Sequence, residues 1–310
     1  MKSRNDDLAL QISLGPLKLK NPVLAASGTF GYGEEYAPLI PLRKLGAIVT
    51  KGLSLEPRKG NPPPRLAETP AGMLNSIGLE NVGLEAFLSE KLPRLRKLGC
   101  PVLVNIFGST IEDYAEMARR LADVEGISGL EINISCPNLK AGGSLFAADP
   151  KAVFQVTTRI RQATASFMMV KLSPNVADIG KIAQAAEEGG ADAVSLINTL
   201  VGLAIDVRTR MPILGNITGG LSGPAIKPVG LAMVWKVAQA VKVPVVGVGG
   251  IATAEDALEY LIAGATAVQV GCAHFFDPRA PLKIIDGISK YLKAHSLNGI
   301  SSLIGSLKTK

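Results

Sequence analysis

Eight short, continuously apolar runs recur along the chain, and longer amphipathic patterns separate them. The runs are Val23–Ser27, Ala47–Lys51, Val102–Phe107, Gly129–Ser135, Phe167–Leu172, Ala193–Asn198, Pro244–Val248 and Ala267–Val270. Strands with one wet face alternate apolar and polar residues. Strands covered on both faces do not, so these runs specify a buried parallel sheet. The intervening patterns are helical. In Ile111–Val124, residues Tyr114, Met117, Ala118 and Leu121 fall on one face, with charges opposite. Ala177–Glu188, Val229–Val241, Ala254–Ala263 and Pro281–Ala294 read the same way, and Thr253 with Asp256 forms a capping box. Eight strands, each followed by a helix, predict an α/β fold of the (β/α)8 TIM barrel type with right-handed crossovers. An open doubly wound sheet usually has fewer strands and ranks second.

A chain of 310 residues suits one such barrel, so residues 1–310 are expected to form a single domain. Ahead of the first run, Leu10–Leu14 and Leu17–Leu19 alternate about Gly15-Pro16, which predicts an N-terminal β-hairpin at the barrel floor. Two strand-to-helix connections are long: Leu53 to about Val82, and Thr199 to about Pro228. Loops beyond about 15 residues in a compact domain are usually functional or disordered. Both follow strand C-termini, where barrel active sites are built, so they read as active-site loops or lids.

The net charge of +7 is spread over scattered lysines and arginines, without the aromatic interleaving of nucleic-acid binders. Cys100, Cys136 and Cys272 are isolated, and only His274 and His295 accompany them. That excludes a disulfide scaffold within the chain and argues against a zinc site. No apolar stretch reaches the roughly 20 residues of a membrane span, and Met1–Asp7 lacks a signal-peptide core, so a soluble, cytoplasmic protein is expected.

The informative feature is what ends the apolar runs. They terminate in Ser27-Gly28, Lys51-Gly52, Ser135-Cys136, Asn198-Thr199, Gly249-Gly250 and Gly271-Cys272, and they contain Asn105, Asn133 and Lys171. Singly, each has a bland explanation: strand-end asparagines cap turns, and lone cysteines pack in cores. Together they converge on one rim. An isolated buried ammonium is expensive, so Lys171 needs a partner, which a bound anion or polarised ring would supply. Gly247–Ile251 leads into the helix begun at Thr253, and Gly271 follows the last strand. Glycines there admit a phosphate to backbone N–H groups, and the helix dipole favours the anion. No GxGxxG or P-loop pattern is present. Pro137 holds Cys136 extended, and no histidine is placed to pair with it. Proton transfer by a thiolate therefore fits better than acyl transfer.

These motifs, in this order, resemble the catalytic subunits of class 1B dihydroorotate dehydrogenases over nearly the whole chain. The carrying segments are Ala26–Gly28, Thr50–Gly52, Asn75–Leu79, Asn133–Asn138, Val170–Leu172, Asn198-Thr199, Gly219–Gly223 and Gly247–Ile251. The resemblance implies an FMN enzyme that oxidises dihydroorotate to orotate in UMP biosynthesis. It implies Cys136 as the base, and Lys51, Asn75, Ser76, Ile77, Gly78, Leu79, Asn133, Asn198 and Thr199 as substrate ligands. For FMN, one per chain, it implies Ser27, Lys51, Gly52, Asn105, Asn133, Lys171, Ile197, Gly223, Gly249, Gly250, Gly271 and Cys272. Cys272 departs from the family, which usually has threonine there.

The quinone-reducing class generally has a serine base and a membrane-associating extension; this chain has cysteine and no such extension. The fumarate-using class 1A also has cysteine and is the alternative, but Leu139–Phe146 looks like class 1B. That class implies a homodimer joined to partner subunits that carry FAD and a 2Fe-2S cluster and pass electrons to NAD, as a heterotetramer. A more distant alternative is a barrel lyase with Lys171 as a Schiff-base lysine.

Overall fold

The computed structural model describes residues 9–135 and 146–309. Eight parallel strands close into a barrel: Val23–Ala25, Ala47–Val49, Val102–Ile106, Gly129–Asn133, Met168–Lys171, Ala193–Leu196, Val245–Val248 and Ala267–Val270. They are numbered one to eight below. Strand eight pairs with strand one, Val268 opposite Val23 and Val270 opposite Ala25, and this closes the ring. The fold is thus the expected TIM barrel. Strand eight forms over the predicted residues, and the other strands stop one or two residues short of a predicted end, in strands one, two, four and six where polar rim residues leave the ladder.

Register and alternation together sort the strand residues. Asn105 lies opposite Glu131, Asn133 opposite Lys171, Lys171 opposite Ser195, and Val248 opposite Gln269. Residues in register on adjacent parallel strands point to the same side. These six polar positions therefore share one face with Leu24, Val49 and Leu103, the inside of the barrel. The other face carries Ile48, Val104, Ile132, Val170 and Val194, all fully buried under the helices. Apolar residues on both faces explain why the runs lack alternation.

The helices Ile111–Leu121, Ile179–Glu188, Lys227–Ala238, Ala254–Ala263 and Ala280–Ala294 form near the predicted bounds. At Thr253 both hydrogen bonds of the capping box form with Asp256. Beside the short helix Ala273–Phe276, two longer helical stretches lie outside the predicted ones. Pro150–Ala163 begins with Asp149 accepting from Lys151 N–H and with proline in its first turn. Leu84–Ala86, Phe87–Lys91 and Leu92–Arg96 run on as one stretch whose middle turn is a π-helix, which displaces the apolar spacing from 3.6. The expectation of a helix after every strand is corrected at strand one. Among the described residues, only the 3₁₀ turn Leu42–Lys44 is helical before strand two.

The N-terminal hairpin pairs Ile12–Leu14 with Leu17–Leu19, antiparallel, and buries Leu14 and Leu19. Gly15 turns with φ +53° and sits close to Asp192, just before strand six. That is the N-terminal end of the barrel, the floor.

The two long connections are not separate loops. Leu66–Thr69 and Gly72–Asn75 from one join Leu200–Leu203 and Thr218–Ser222 from the other in a four-stranded sheet. Its central ladder sets Gly220 opposite Asn75 and Ser222 opposite Met73.

At the rim, His274 is buried against Phe30, with ring centroids 4.7 Å apart. Burial pushes the imidazole from its ordinary 6.5 down to about 4. The native ring thus stays neutral where the unfolded chain already takes up a proton. Stability is expected to fall as pH drops from about 6.5 to about 4, by up to about 1.4 kcal/mol per pH unit. Urea midpoints across that window measure it, and His274→Phe should flatten this part of the profile.

Candidate active site

Strand C-termini place the polar residues on one rim. Asn133 ends strand four, and its side-chain oxygen accepts from Ser135 N–H at 3.2 Å and from the Asn198 amide at 3.4 Å. Its carbonyl accepts from the Tyr114 hydroxyl at 2.8 Å, which ties the strand end to the helix outside. Asn198 in turn accepts from Thr199 N–H at 2.8 Å. The ends of strands four and six are thereby joined through two amides. Ile197 lies buried beside them, and its side chain would meet a Cβ at Gly249 at 3.4 Å. Cys136, three residues beyond Asn133, lies outside the described residues.

Below this rim sits a group that the rim residues alone did not announce. Glu131 is fully buried inside the barrel. Its carboxylate accepts from the Asn105 amide at 2.6 Å, Ser195 Oγ at 2.9 Å and the Gln269 amide at 2.7 Å. Lys171 Nζ lies 3.9 Å from it. The partner of Lys171 is therefore a carboxylate of the chain itself, which corrects the expectation that a ligand must supply it. A signal existed: Glu131, Ser195 and Gln269 each interrupt an apolar run. Asn105 is buried with its side-chain oxygen unpartnered. A Cβ at Gly52 would come within 3.0 Å of that oxygen, so glycine leaves it reachable.

Of the long connections, Asn75 donates to Gly220 O at 3.2 Å within the shared sheet. The Thr199 side chain fills the space that a Cβ at Gly220 would need. Asn75 and Thr199, far apart in sequence, thus border the same backbone. Ser76 accepts from the Asn61 amide at 2.9 Å, and Asn61 N–H bonds Ile77 O at 3.0 Å. Gly78 and Leu79 follow with φ +74° and +59°. The Ser76–Leu79 turn is therefore fastened to its own loop. Lys51 and Ser27 stand half-buried just past strands two and one, and Lys51 N–H bonds Gly31 O at 2.7 Å.

The ends of strands seven and eight form a small concave site lined by Gly223, Gly250, Ala252, Cys272, Ala273 and Phe276. Gly223, Gly249 and Gly250 have φ of +98°, +126° and +68°, which favour glycine. A Cβ at Gly250 would come within 2.7 Å of Lys227 Cβ and 2.9 Å of Gly223 O. Glycines of this kind let backbone N–H groups approach an anion such as a phosphate. The helix end contributes less than expected, because Asp256 already accepts from Ala252 and Thr253 N–H at 3.0 and 2.9 Å. Burial works to raise the Asp256 carboxyl, but hydrogen bonds from Lys227 and these backbone groups hold it below the usual carboxylate range. Lys227 Nζ, 2.7 Å away, offsets that charge. Cys272 Sγ lies 2.9 Å from Ser222 Oγ, and burial raises its thiol. It links strand eight to the sheet over the rim.

A model of the dihydroorotate dehydrogenase family matches residues 9–292. The chain belongs to the dihydroorotate dehydrogenase family. It is therefore an oxidoreductase. It is 56% identical over 300 residues to the "Dihydroorotate dehydrogenase B (NAD(+)), catalytic subunit" of Geotalea uraniireducens (strain Rf4), covering 97% of this chain and 98% of that one. A protein of the same name from Trichlorobacter lovleyi is 57% identical over 300 residues, covering 97% and 99%. Among solved structures, dihydroorotate dehydrogenase from Eimeria tenella, crystallised with ferulenol, superposes with a TM-score of 0.80 at 22% identity. That match covers 99% of this chain and 90% of the other, and shows the shared barrel fold.

Within this family member the cradle is testable without a ligand. Gly250→Ala combines a left-handed backbone with a close contact. It is expected to cost about 1–3 kcal/mol in urea denaturation.

Proposed function

We propose that the chain oxidises dihydroorotate to orotate in pyrimidine synthesis, with FMN bound one per chain and Cys136 as the base. The observation that carries this reading is the pair of amides, Asn133 and Asn198, joined at 3.4 Å on the rim beside Lys171. Two amides present donors and acceptors side by side, which suits the amide edges and carboxylate of the substrate. Asn75 and Thr199, bordering the same strand of the covering sheet, supply further polar contacts there. Lys51 and the Ser76–Leu79 turn complete the proposed substrate set.

The residues fit FMN. The cradle of Gly223, Gly249, Gly250, Gly271 and Cys272 would hold its phosphate, and Ser27, Gly52, Asn105, Asn133, Lys171 and Ile197 would line its ring. When bound, FMN supplies the acceptor for the hydride that leaves substrate C6. The chain's own residues do the rest. The Cys136 thiolate takes the proton from C5, so the C5–C6 bond becomes double as both hydrogens leave. Asn133 and Asn198 orient the ring so that the C5 proton faces the thiolate. The Lys171 ammonium favours the negative charge that reduction adds beside it. The covering sheet excludes water from this exchange.

The names of the relatives, which carry NAD(+) and the words catalytic subunit, support NAD as the final acceptor and an associated subunit, which in this proposal carries FAD and 2Fe-2S. A homodimer with such subunits as a heterotetramer is the assembly we propose, in the cytoplasm. The exposed apolar side chains of the second long connection suit such interfaces: Val201, Val207, Met211 and Ile217 are 70%, 83%, 61% and 60% exposed. Among the described residues, no helix is long and apolar enough to cross a membrane.

The purified chain is expected to be yellow and to bleach anaerobically with dihydroorotate; failure to take up FMN on reconstitution would refute the reading. Cys136→Ala should keep the flavin and lose bleaching by at least about a hundredfold, the scale of general base catalysis. Cys136→Ser should bleach slowly at neutral pH, because a hydroxyl is a far weaker acid than a thiol.

A further inference from the structure

We propose that Glu131 is a positioning residue: its carboxylate fixes the orientation of the Asn105 amide and holds Lys171, so that the site offers its ligand the Asn105 oxygen and the Lys171 ammonium. The proposal rests on the FMN reading for the identity of that ligand.

Glu131 gathers partners from strands three, five, six and eight, at 2.6, 3.9, 2.9 and 2.7 Å. All five positions face the barrel interior by register, and all are buried. An ionised carboxylate only accepts hydrogen bonds. Facing Asn105, it admits the NH₂ end of the amide and rejects the carbonyl end. The Asn105 oxygen is thereby turned away, buried and without a partner. Leaving a buried acceptor unpaired costs about 1–3 kcal/mol. A bond to a charged acceptor is the stronger kind, and it can hold the amide in that orientation. Gly52 leaves the oxygen reachable, as its missing Cβ would stand 3.0 Å away. The oxygen therefore awaits an N–H or O–H donor from the ligand. On the other side, Glu131 faces the Lys171 ammonium and keeps it at the end of strand five. A side chain that served packing alone would need neither the charge nor this choice of amide face.

Glutamine at this position keeps the shape and loses the charge, and it can present a donor to Asn105, so the amide is no longer held one way. In the FMN-free chain, ¹⁵N–¹H spectra should show the Asn105 side-chain protons shifted and slow to exchange, and Glu131→Gln should abolish that signature. FMN dissociation constants then test action through Asn105. Glu131→Gln and Asn105→Ala should each weaken FMN about tenfold, and the double variant should be no more than about twofold weaker than Asn105→Ala. Additive losses near a hundredfold overturn the proposal. The midpoint potential of bound FMN should rise in Glu131→Gln, because a negative charge beside the flavin is gone while Lys171 remains. An unchanged or lowered potential overturns it, whatever happens to the melting temperature. If Glu131→Gln does not fold, the wild-type signature still decides: Asn105 protons that exchange as fast as those of exposed asparagines refute the claim. A chain that binds no FMN fails the functional reading, and the same amide signature then judges this one.

Discussion

Closure of the barrel is the constraint on which everything else rests. Strand eight hydrogen-bonds to strand one, so no edge remains unpaired. All eight strands run parallel, which brings every strand C-terminus to one rim. Closure also divides each strand strictly. One set of alternate residues faces the helices, where all are apolar, and the other set fills the barrel. Polar side chains enter that interior around Glu131, whose carboxylate takes their donors and leaves the Asn105 and Gln269 side-chain oxygens unpartnered.

The covering sheet follows from the same closure. A two-stranded hairpin is marginal in water, and three or more strands are generally needed. Neither long connection supplies enough alone. Because both begin at the same rim, their hairpins meet, and Gly220 pairs with Asn75. The sheet that results brings Asn75 to Thr199. It also brings Ser222 to Cys272, so the proposed phosphate cradle and the proposed substrate ligands share one roof.

Much of the candidate site was legible because its residues break a rule. Lys171, Asn105 and Asn133 interrupt apolar runs, and Gly249 and Gly250 end one. Glu131 breaks the same rule and was still passed over. Its partners lie 26, 64 and 138 residues away, so no local pattern identifies them. The helix Leu84–Arg96 escaped for a different reason: its π turn alters the apolar period on which prediction depends. A glycine cradle does stand after strands seven and eight, where the strand-end glycines suggested a phosphate site, but the helix end there is already capped by Asp256.

The sequence by itself determined the eight buried strands, the N-terminal hairpin, the capped helix at Thr253 and the polar rim. Each depends on residues that are neighbours along the chain, through alternation, period and turn chemistry. Tertiary structure alone decided that Lys171 faces a carboxylate, that Asn105 presents its oxygen, and that two distant loops become one sheet. Those outcomes depend on register around a closed barrel, where a single pairing sets which side chains share the interior, and register is a relation between strands that no single segment encodes.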